Sequence, residues 1–157
     1  MLTGIKKIVA LLFVFNILSA HSLFCQPYYF THYQVENGLS NNAVMCSLQD
    51  HHGFMWFGTR DGLNRFDGVS FKVFRNSPED SNSIGSNAIT GLYEDVHNRI
   101  WVATEKGVYK YDETTEKFTQ LKIAGNYSIR NLKVIGNDIW YISLYTLYRH
   151  NEKTGNT

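Results

Sequence analysis

The sequence contains little proline, little cysteine and no marked excess of either charge. Its 157 residues include 2 Pro and 2 Cys, and only 18% are charged. The formal net charge of +1 argues against a nucleic-acid-binding surface, which requires clustered Lys and Arg. Apolar residues make up 43%, so the chain is neither disordered nor collagen-like. Aromatic residues reach 15% and accompany 12 Gly, a composition that predicts short strands and tight turns.

Long hydrophobic segments are also scarce, and the one near the N-terminus is too short to span a bilayer. Two lysines precede an apolar run from Ile8 to Leu18, whereas a spanning helix needs about 20 apolar residues. This pattern predicts a secretory signal peptide over residues 1–25, and therefore an exported protein. Cleavage after Cys25 and cleavage near Ala20 are both compatible with the sequence.

The second cysteine is not predicted to form a disulfide. If cleavage follows Cys25, Cys46 is the one cysteine left and has no intramolecular partner. It lies in an apolar, strand-like run from Ala43 to Leu48. Because no neighbouring charge would lower the pKa of its thiol, we expect a small buried core residue rather than a reactive one.

An internal repeat organises the remaining sequence. Residues 50–67 align without a gap to residues 95–112, which lie 45 residues later. A third, weaker copy begins at Ile129 and carries Thr146 where the other copies have glycine. The recurring residues are Asp50 and Asp95, His52 and His97, Trp56, Trp101 and Trp140, Thr59 and Thr104, Gly62 and Gly107, and Asp67 and Asp112.

Each repeat predicts four short antiparallel strands. In the first copy these are residues 43–49, 54–59, 63–66 and 70–74, separated by turns rich in Asp, Asn and Gly. The second strand is apolar at almost every position, so we expect it to be buried on both faces. Such four-stranded repeats predict an all-β fold made of β-propeller blades, with the tryptophans filling the space between adjacent blades.

The predicted organisation is an incomplete propeller. After the signal peptide come a closing strand over residues 26–37, blade 1 over 38–82, blade 2 over 83–128 and a partial blade 3 over 129–157. That is about 2.7 blades plus the closing strand, whereas propeller rings have roughly four to eight blades. We therefore expect this sequence to be the front of a longer protein.

Three segments resemble the two-component regulator propeller repeat: residues 38–42, 54–59 and 61–68. That repeat occurs in the periplasmic sensor region of hybrid two-component systems, notably in gut Bacteroidetes. The resemblance extends over about residues 28–150 and is strong in the first copy, good in the second and loose in the third. In the family, the propeller precedes a β-sandwich, a transmembrane helix, a histidine kinase, a receiver and a DNA-binding domain, none of which is recognisable here.

The resemblance implies a sensor without its output modules. It implies a periplasmic segment whose full-length form is anchored in the inner membrane, is a homodimer and responds to an oligosaccharide. The partners it implies are that ligand, the remaining blades and the kinase portion of a longer chain, with no nucleic acid bound by this segment. Two alternatives are a stand-alone exported propeller scaffold or binding protein, and the front part of an exported propeller enzyme that acts on glycans.

Candidate ligand-binding residues are few, and each has a structural alternative. Three asparagines precede the innermost strands and could face a ligand near the central channel, although Asn more often caps loop backbone: Asn41, Asn42 and Asn87. Sugar rings stack on aromatic side chains, for which Tyr127, Tyr145 and Tyr148 are available.

No catalytic residue, metal ion or cofactor is predicted for this chain. His51 and His52 are adjacent, but a zinc site needs three or four converging ligands, so both are interpreted as polar turn residues. Asp50 and Asp95 are expected to tighten their turns by accepting a hydrogen bond from the N–H two residues on. The sequence offers no convergent acid pair and no nucleophile with a base, so we expect no enzymatic activity.

Overall fold

The structure is a computed structural model that describes Gly4, residues 28–123 and residues 128–157. The predicted signal peptide, Gly4 apart, and Tyr127 lie outside the described residues. The chain divides into a unit of residues 1–32 and a unit of residues 33–157. Within the described residues, no helix has the length and apolar character needed to cross a membrane.

The second unit contains three antiparallel sheets, which we call blades 1, 2 and 3. Within each blade the strands follow one another in chain order. This arrangement confirms the all-β propeller-blade fold expected from the repeats. The strands are β1 (Val44–Gln49), β2 (Met55–Thr59), β3 (Gly62–Phe66) and β4 (Phe71–Phe74) in blade 1; β5 (Ile89–Glu94), β6 (Ile100–Thr104), β7 (Gly107–Asp112) and β8 (Lys117–Gln120) in blade 2; and β9 (Ile129–Ile135), β10 (Asp138–Ser143) and β11 (Thr146–Asn151) in blade 3.

The hydrophobic core lies between the blades rather than within a single sheet. Trp56 of blade 1 packs edge-on against Tyr111 of blade 2, with ring centroids 5.0 Å apart. Val102 of blade 2 belongs to the same cluster, while its neighbour Trp101 belongs to the cluster shared with blade 3. Adjacent residues of one strand thus serve opposite interfaces, because successive side chains of a strand point to opposite faces. This explains why β6 is buried at all five of its positions.

Blade 3 packs against blade 2, and its opposite face is uncovered in the described structure. Trp56 and Trp101 are each 1% exposed, but Trp140 is only partly buried. Ile142 and Leu147 nearby are 40% and 61% exposed. The expectation that all three tryptophans are buried between blades is therefore wrong for Trp140. Trp140 is partly exposed because no further sheet packs on this face within the described part of the chain.

The segment preceding blade 1 is partly helical. Residues 35–37, which fall in the predicted closing strand, form a 3-10 helix instead. Gly38 ends this helix with a φ of 104°, a left-handed conformation that glycine adopts without strain. Residues 28–34 are not assigned to a strand in the described structure. A closing strand forms by pairing with a blade at the other end of the ring, so its formation by residues 28–33 stays a prediction.

Candidate functional site

The two ends of the blades carry different chemistry. The β2–β3, β6–β7 and β10–β11 turns lie at one end, which we call the hairpin end. The β1–β2 and β5–β6 loops lie at the opposite end, which we call the Asp-loop end. The hairpin end carries the candidate residues Asn41, Asn42, Asn87 and Tyr145, whereas His51 and His52 lie at the Asp-loop end.

Asp50 organises the Asp-loop end of blade 1. Its Oδ1 accepts hydrogen bonds from the backbone N–H of His52 at 3.0 Å and of Phe54 at 2.9 Å. Its Oδ2 accepts a hydrogen bond from the indole N–H of Trp56 at 2.7 Å. The carboxylate therefore fixes both the loop and the tryptophan that fills the space between the blades. The hydrogen bond from His52 was expected from the sequence, but the hydrogen bond from Trp56 was not.

Asp95 has the same role in blade 2, with one addition. Trp101 donates its indole N–H to Oδ2 at 2.9 Å, and the Arg99 guanidinium donates to the same oxygen at 2.6 Å. Burial opposes ionisation of Asp95, but the hydrogen bonds from Trp101, Arg99 and the loop backbone outweigh it and lower the pKa of the carboxyl below its usual value. In blade 3 the strand register places Ile135 at this position, before a short β9–β10 turn through Gly136 and Asn137.

The hairpin end is built by a threonine and a glycine in blades 1 and 2. The Thr59 hydroxyl donates to the carbonyl of Gly62 at 2.9 Å, and Thr104 does the same to Gly107 at 3.0 Å. Both glycines have positive φ, 132° and 119°. In blade 3, where Thr146 replaces the glycine, Leu144 instead takes the left-handed conformation with a φ of 54°. The third turn therefore reaches the same strand pairing by a different backbone path.

Asn41 and Asn42 are held by backbone groups close to them in the chain. The Asn41 side-chain oxygen accepts from the N–H of Ala43 at 2.8 Å. The Asn42 side-chain oxygen accepts from the N–H of Val35 at 2.9 Å and so fixes the 3-10 helix. Both oxygens stabilise the loop before β1, while Asn42 itself is exposed.

Asn87 joins blade 2 to the hairpin of blade 1. Its side-chain oxygen accepts from the N–H of Asn76 at 2.7 Å, and its amide donates to Oδ1 of Asp61 at 3.1 Å. Its backbone carbonyl accepts from the N–H of Gly62 at 2.8 Å. Next to it, the carbonyl of Ala88 accepts from the N–H of Glu105 at 3.2 Å. The segment before β5 thus connects the hairpins of blades 1 and 2.

A cleft of about 500 Å³ opens at this connection. Its sides carry charges of opposite sign, with Arg60 on the hairpin of blade 1 and Glu105 on that of blade 2. Between them, apolar and hydroxyl side chains provide both contact area and hydrogen-bonding groups. The lining residues are Met45, Arg60, Ala88, Ile89, Thr90 and Glu105. A second cavity, of about 320 Å³, lies on the uncovered face of blade 3 beside Trp140.

One of the candidate tyrosines lies exposed at the hairpin end. Tyr145 is 89% exposed in the β10–β11 turn, and the Arg130 guanidinium lies 5.3 Å from its ring centroid. Tyr148 is instead partly buried and stacks on Tyr141, with centroids 5.3 Å apart. Only Tyr145 of this pair presents a free aromatic face to solvent.

The Asp-loop end holds a cluster that sequence analysis did not predict. One ligand atom each of His51, His52 and Glu113 lie within 4.8 Å of one another, and all three residues are exposed. The structure thus adds Glu113 as a third possible ligand to the two histidines, which were interpreted as turn residues. Glu113 lies in the β7–β8 turn of the next blade, so only the packing of blades 1 and 2 reveals it.

Cys46 packs against the core between blades 1 and 2, as expected, but it is only partly buried. Its sulfur lies in β1 opposite Gly58, and burial raises the pKa of the thiol to about 11. A thiol with this pKa is almost entirely protonated at neutral pH, which makes it a poor nucleophile.

The family model for the two-component regulator propeller matches residues 38–61 and 83–106. These segments end each time at the second hairpin residue, after the strand that carries the buried tryptophan. The chain contains two-component regulator propeller repeats. A 47-residue stretch, 30% of the chain, is 57% identical to histidine kinase P4 of Formosa agariphila. The chain spans only 3% of that relative.

Solved structures extend the similarity to all three blades. The extracellular domain of a B. thetaiotaomicron protein assigned as a hybrid two-component system matches with a TM-score of 0.73 and 30% identity, over 82% of this chain and 20% of that one. A second extracellular domain from the same organism, assigned to a one-component system, matches at 0.65 and 21% identity over 82% of this chain and 20% of its own length. A streptogramin B lyase matches at 0.52 and 13% identity over 80% of this chain and 45% of its own, which shows the fold alone.

Proposed function

We propose that this propeller is the extracytoplasmic, ligand-sensing segment of a two-component sensor and that its ligand is an oligosaccharide. The observation that carries the proposal is the similarity of all three blades to the extracellular domain of a hybrid two-component system. The signal passes to a kinase located in the remainder of a longer, membrane-anchored and dimeric protein. The chain spans about a fifth of the solved domains it matches, and we propose that the complete ring contains further blades.

The hairpin end provides the chemistry that favours an oligosaccharide. Ligand sites combine an apolar surface with a few oriented polar groups. The cleft between blades 1 and 2 has such a lining, with Ile89 and Met45 beside Thr90 and the charged Arg60 and Glu105. Neighbouring positive and negative charges suit a neutral, hydroxyl-rich ligand, because hydroxyl groups both donate and accept hydrogen bonds.

Blade 3 adds an aromatic group to the same end. Tyr145 lies on the hairpin that corresponds to those of Arg60 and Glu105, and its ring is exposed. An exposed tyrosine offers a flat apolar ring, on which the apolar face of a sugar can stack, and a hydroxyl that can form hydrogen bonds. An oligosaccharide that extends from the cleft towards blade 3 would use both features.

Titration of the full-length protein with a panel of neutral oligosaccharides, followed by isothermal calorimetry, tests this proposal. We expect at least one oligosaccharide to bind, and Arg60→Ala and Tyr145→Ala each to weaken its binding about fivefold or more, since one hydrogen-bonding or stacking contact is worth about 1 kcal/mol or more. Lys117→Ala is the matched control, because Lys117 is exposed at the Asp-loop end of blade 2. Failure of every oligosaccharide to bind, or equal binding by the three variants, would contradict the proposal.

A further inference from the structure

We propose that His51, His52 and Glu113 form a site for a divalent transition metal, with Zn²⁺ as the expected ion, that joins blade 1 to blade 2. The argument rests on the ligand types, their distances and their positions on two different blades. It is independent of the ligand proposed for the hairpin end, which lies at the other end of the blades.

The ligand set suits zinc. Two imidazoles and one carboxylate are a recurrent three-ligand combination for Zn²⁺, with a water completing the tetrahedron. Imidazole nitrogens favour Zn²⁺, Ni²⁺ and Cu²⁺, whereas Mg²⁺ and Ca²⁺ prefer oxygen ligands alone. The two histidines should therefore make the site prefer Zn²⁺ to Mg²⁺ and Ca²⁺, a preference that a cluster of carboxylates would lack.

The distances require only small side-chain adjustments. Ligand atoms around tetrahedral Zn²⁺ lie roughly 3.3 Å from one another when each is about 2.0–2.1 Å from the metal. His52 Nε2 and Glu113 Oε1 are 2.9 Å apart, and all three ligand atoms lie within 4.8 Å. The side chains of His52 and Glu113 are 47% and 56% exposed, so they have room to adjust.

Glu94 orients the third ligand. Its carboxylate contacts Nδ1 of His51 at 2.6 Å and also accepts the backbone N–H of His51 at 3.1 Å. A carboxylate that accepts the Nδ1 proton leaves the lone pair of Nε2 available for a metal. Metal-binding histidines in proteins almost always have such a carboxylate or carbonyl on their other nitrogen.

The local charges favour a cation. Glu94 and Glu113 supply two negative charges to the cluster. Arg65 supplies a positive charge close by, because it lines the small cavity beside His51 and Glu113. Its guanidinium donates to Glu116 and to the Tyr111 hydroxyl, each at 3.2 Å, and Glu116 also pairs with Lys72, so it offsets the charge of Arg65 only in part.

The corresponding position between blades 2 and 3 lacks these ligands. Val96 occupies the place of His51, while His97 corresponds to His52. There, Glu152 of blade 3 is bound by Arg99 at 3.0 Å and by Lys110 at 3.3 Å, both from blade 2. Ion pairs join blades 1 and 2 as well, through Arg65, Lys72 and Glu116, but only this interface also brings two histidines and a glutamate together among the described residues. His97 is therefore an internal control.

Two measurements on the full-length protein test the proposal, with Zn²⁺ as the probe and Mg²⁺ as the control ion. In calorimetric titration we expect a saturable Zn²⁺ site that His52→Ala and Glu113→Gln each weaken at least tenfold and that His97→Ala leaves unchanged. Thermal unfolding should show a Tm raised by Zn²⁺ in the wild type and in His97→Ala but not in the other two variants, because a ligand that binds the folded state stabilises it. Mg²⁺ should not raise the Tm.

Co²⁺ provides a readout of the ligands themselves. A Co²⁺-loaded site of this kind should show the strong visible absorption of tetrahedral coordination, lost in His52→Ala. The proposal is overturned if His52→Ala binds Zn²⁺ as the wild type does, if His97→Ala is equally weakened, or if Mg²⁺ stabilises the protein as Zn²⁺ does. All the substituted side chains are exposed, so the variants should fold.

Discussion

Blades 1 and 2 share their Asp–Trp and Thr–Gly contacts but fill the space beneath the hairpin differently. In blade 1 this space holds a buried polar network in which Asn64 accepts from the N–H of Ser40 and donates to its hydroxyl, both at 2.8 Å. The same hydroxyl contacts that of Thr59 at 2.8 Å. In blade 2 the corresponding residues are Gly85 and Tyr109.

The difference shows that these two positions must change together. A Cβ added to Gly85 would lie 1.8 Å from the hydroxyl oxygen of Tyr109, so the tyrosine occupies the space that a serine side chain would need. Asn64 is shorter and leaves room for Ser40, which satisfies its amide. The outer contacts are thus the same in blades 1 and 2, while the space they enclose accepts either a polar pair or a glycine–tyrosine pair.

The largest effect should come from placing the blade 1 residue in blade 2. Gly85→Ser should lower the free energy of unfolding by about 3 kcal/mol, because overpacking displaces the buried Tyr109. Adding Tyr109→Asn should restore part of the loss, with a coupling of about 1–3 kcal/mol in a double-mutant cycle. Urea denaturation of the four proteins measures this. Additive losses would show that the two positions are independent.

A second comparison uses the three tryptophans. Trp56→Phe and Trp101→Phe each remove a hydrogen bond to a buried carboxylate and should cost about 2 kcal/mol. Trp140→Phe should cost about 0.5 kcal/mol or less, since Trp140 is partly exposed and no aspartate lies at the equivalent position of blade 3. Thermal or urea unfolding of the three variants gives the ranking. Equal losses would contradict the assigned role of Asp50 and Asp95.

A smaller loss is expected from the polar network of blade 1. Ser40→Ala removes one of the acceptors of the Asn64 amide and should lower the free energy of unfolding by about 1 kcal/mol. The loss should be smaller than that of Gly85→Ser, because removing a hydroxyl leaves no overlap. If Ser40→Ala proves the more damaging change, the polar network rather than the tight packing limits this region.

The smallest effect is a dependence on pH through Asp95. Its pKa is lowered in the folded protein, so its stabilisation is present above the unfolded value of 3.8 and is lost as the pH falls below it. The Tm measured from about pH 6 to about pH 2 should therefore fall less steeply in Asp95→Asn than in the wild type. An identical decline in both proteins would remove Asp95 as a source of acid sensitivity.

The sequence predicted best what depends on neighbours along the chain. Trp56 and Trp101 recur with their aspartates at a fixed spacing, and Gly62 and Gly107 mark their turns, so the strands and their order could be inferred. The strands of blade 1 begin and end within one residue of the predicted limits. The segment before blade 1 was not predicted correctly. Its residues 35–37 form a 3-10 helix, which a hydrogen bond to Asn42 in the following loop stabilises.

Contacts between blades could not be inferred in the same way. Glu113 joins the two histidines only because blade 2 packs against blade 1, and the exposure of Trp140 depends on what covers blade 3. For the three asparagines, the sequence suggested a ligand contact, whereas the structure shows hydrogen bonds within the protein. They were proposed near the channel, and their side chains are engaged in loop hydrogen bonds, with Asn87 joining two blades. Ligand contact by Asn41, Asn42 and Asn87 stays a prediction.

The central claim, that this propeller is the exported input segment of a larger sensor, is tested most directly in the native cell. An antibody raised against residues 28–150 would be used to blot envelope and cytosolic fractions. We predict a single product in the envelope fraction far above the 18.1 kDa of this chain. A product near that mass, or one confined to the cytosol, would contradict the assignment to a membrane-anchored two-component sensor.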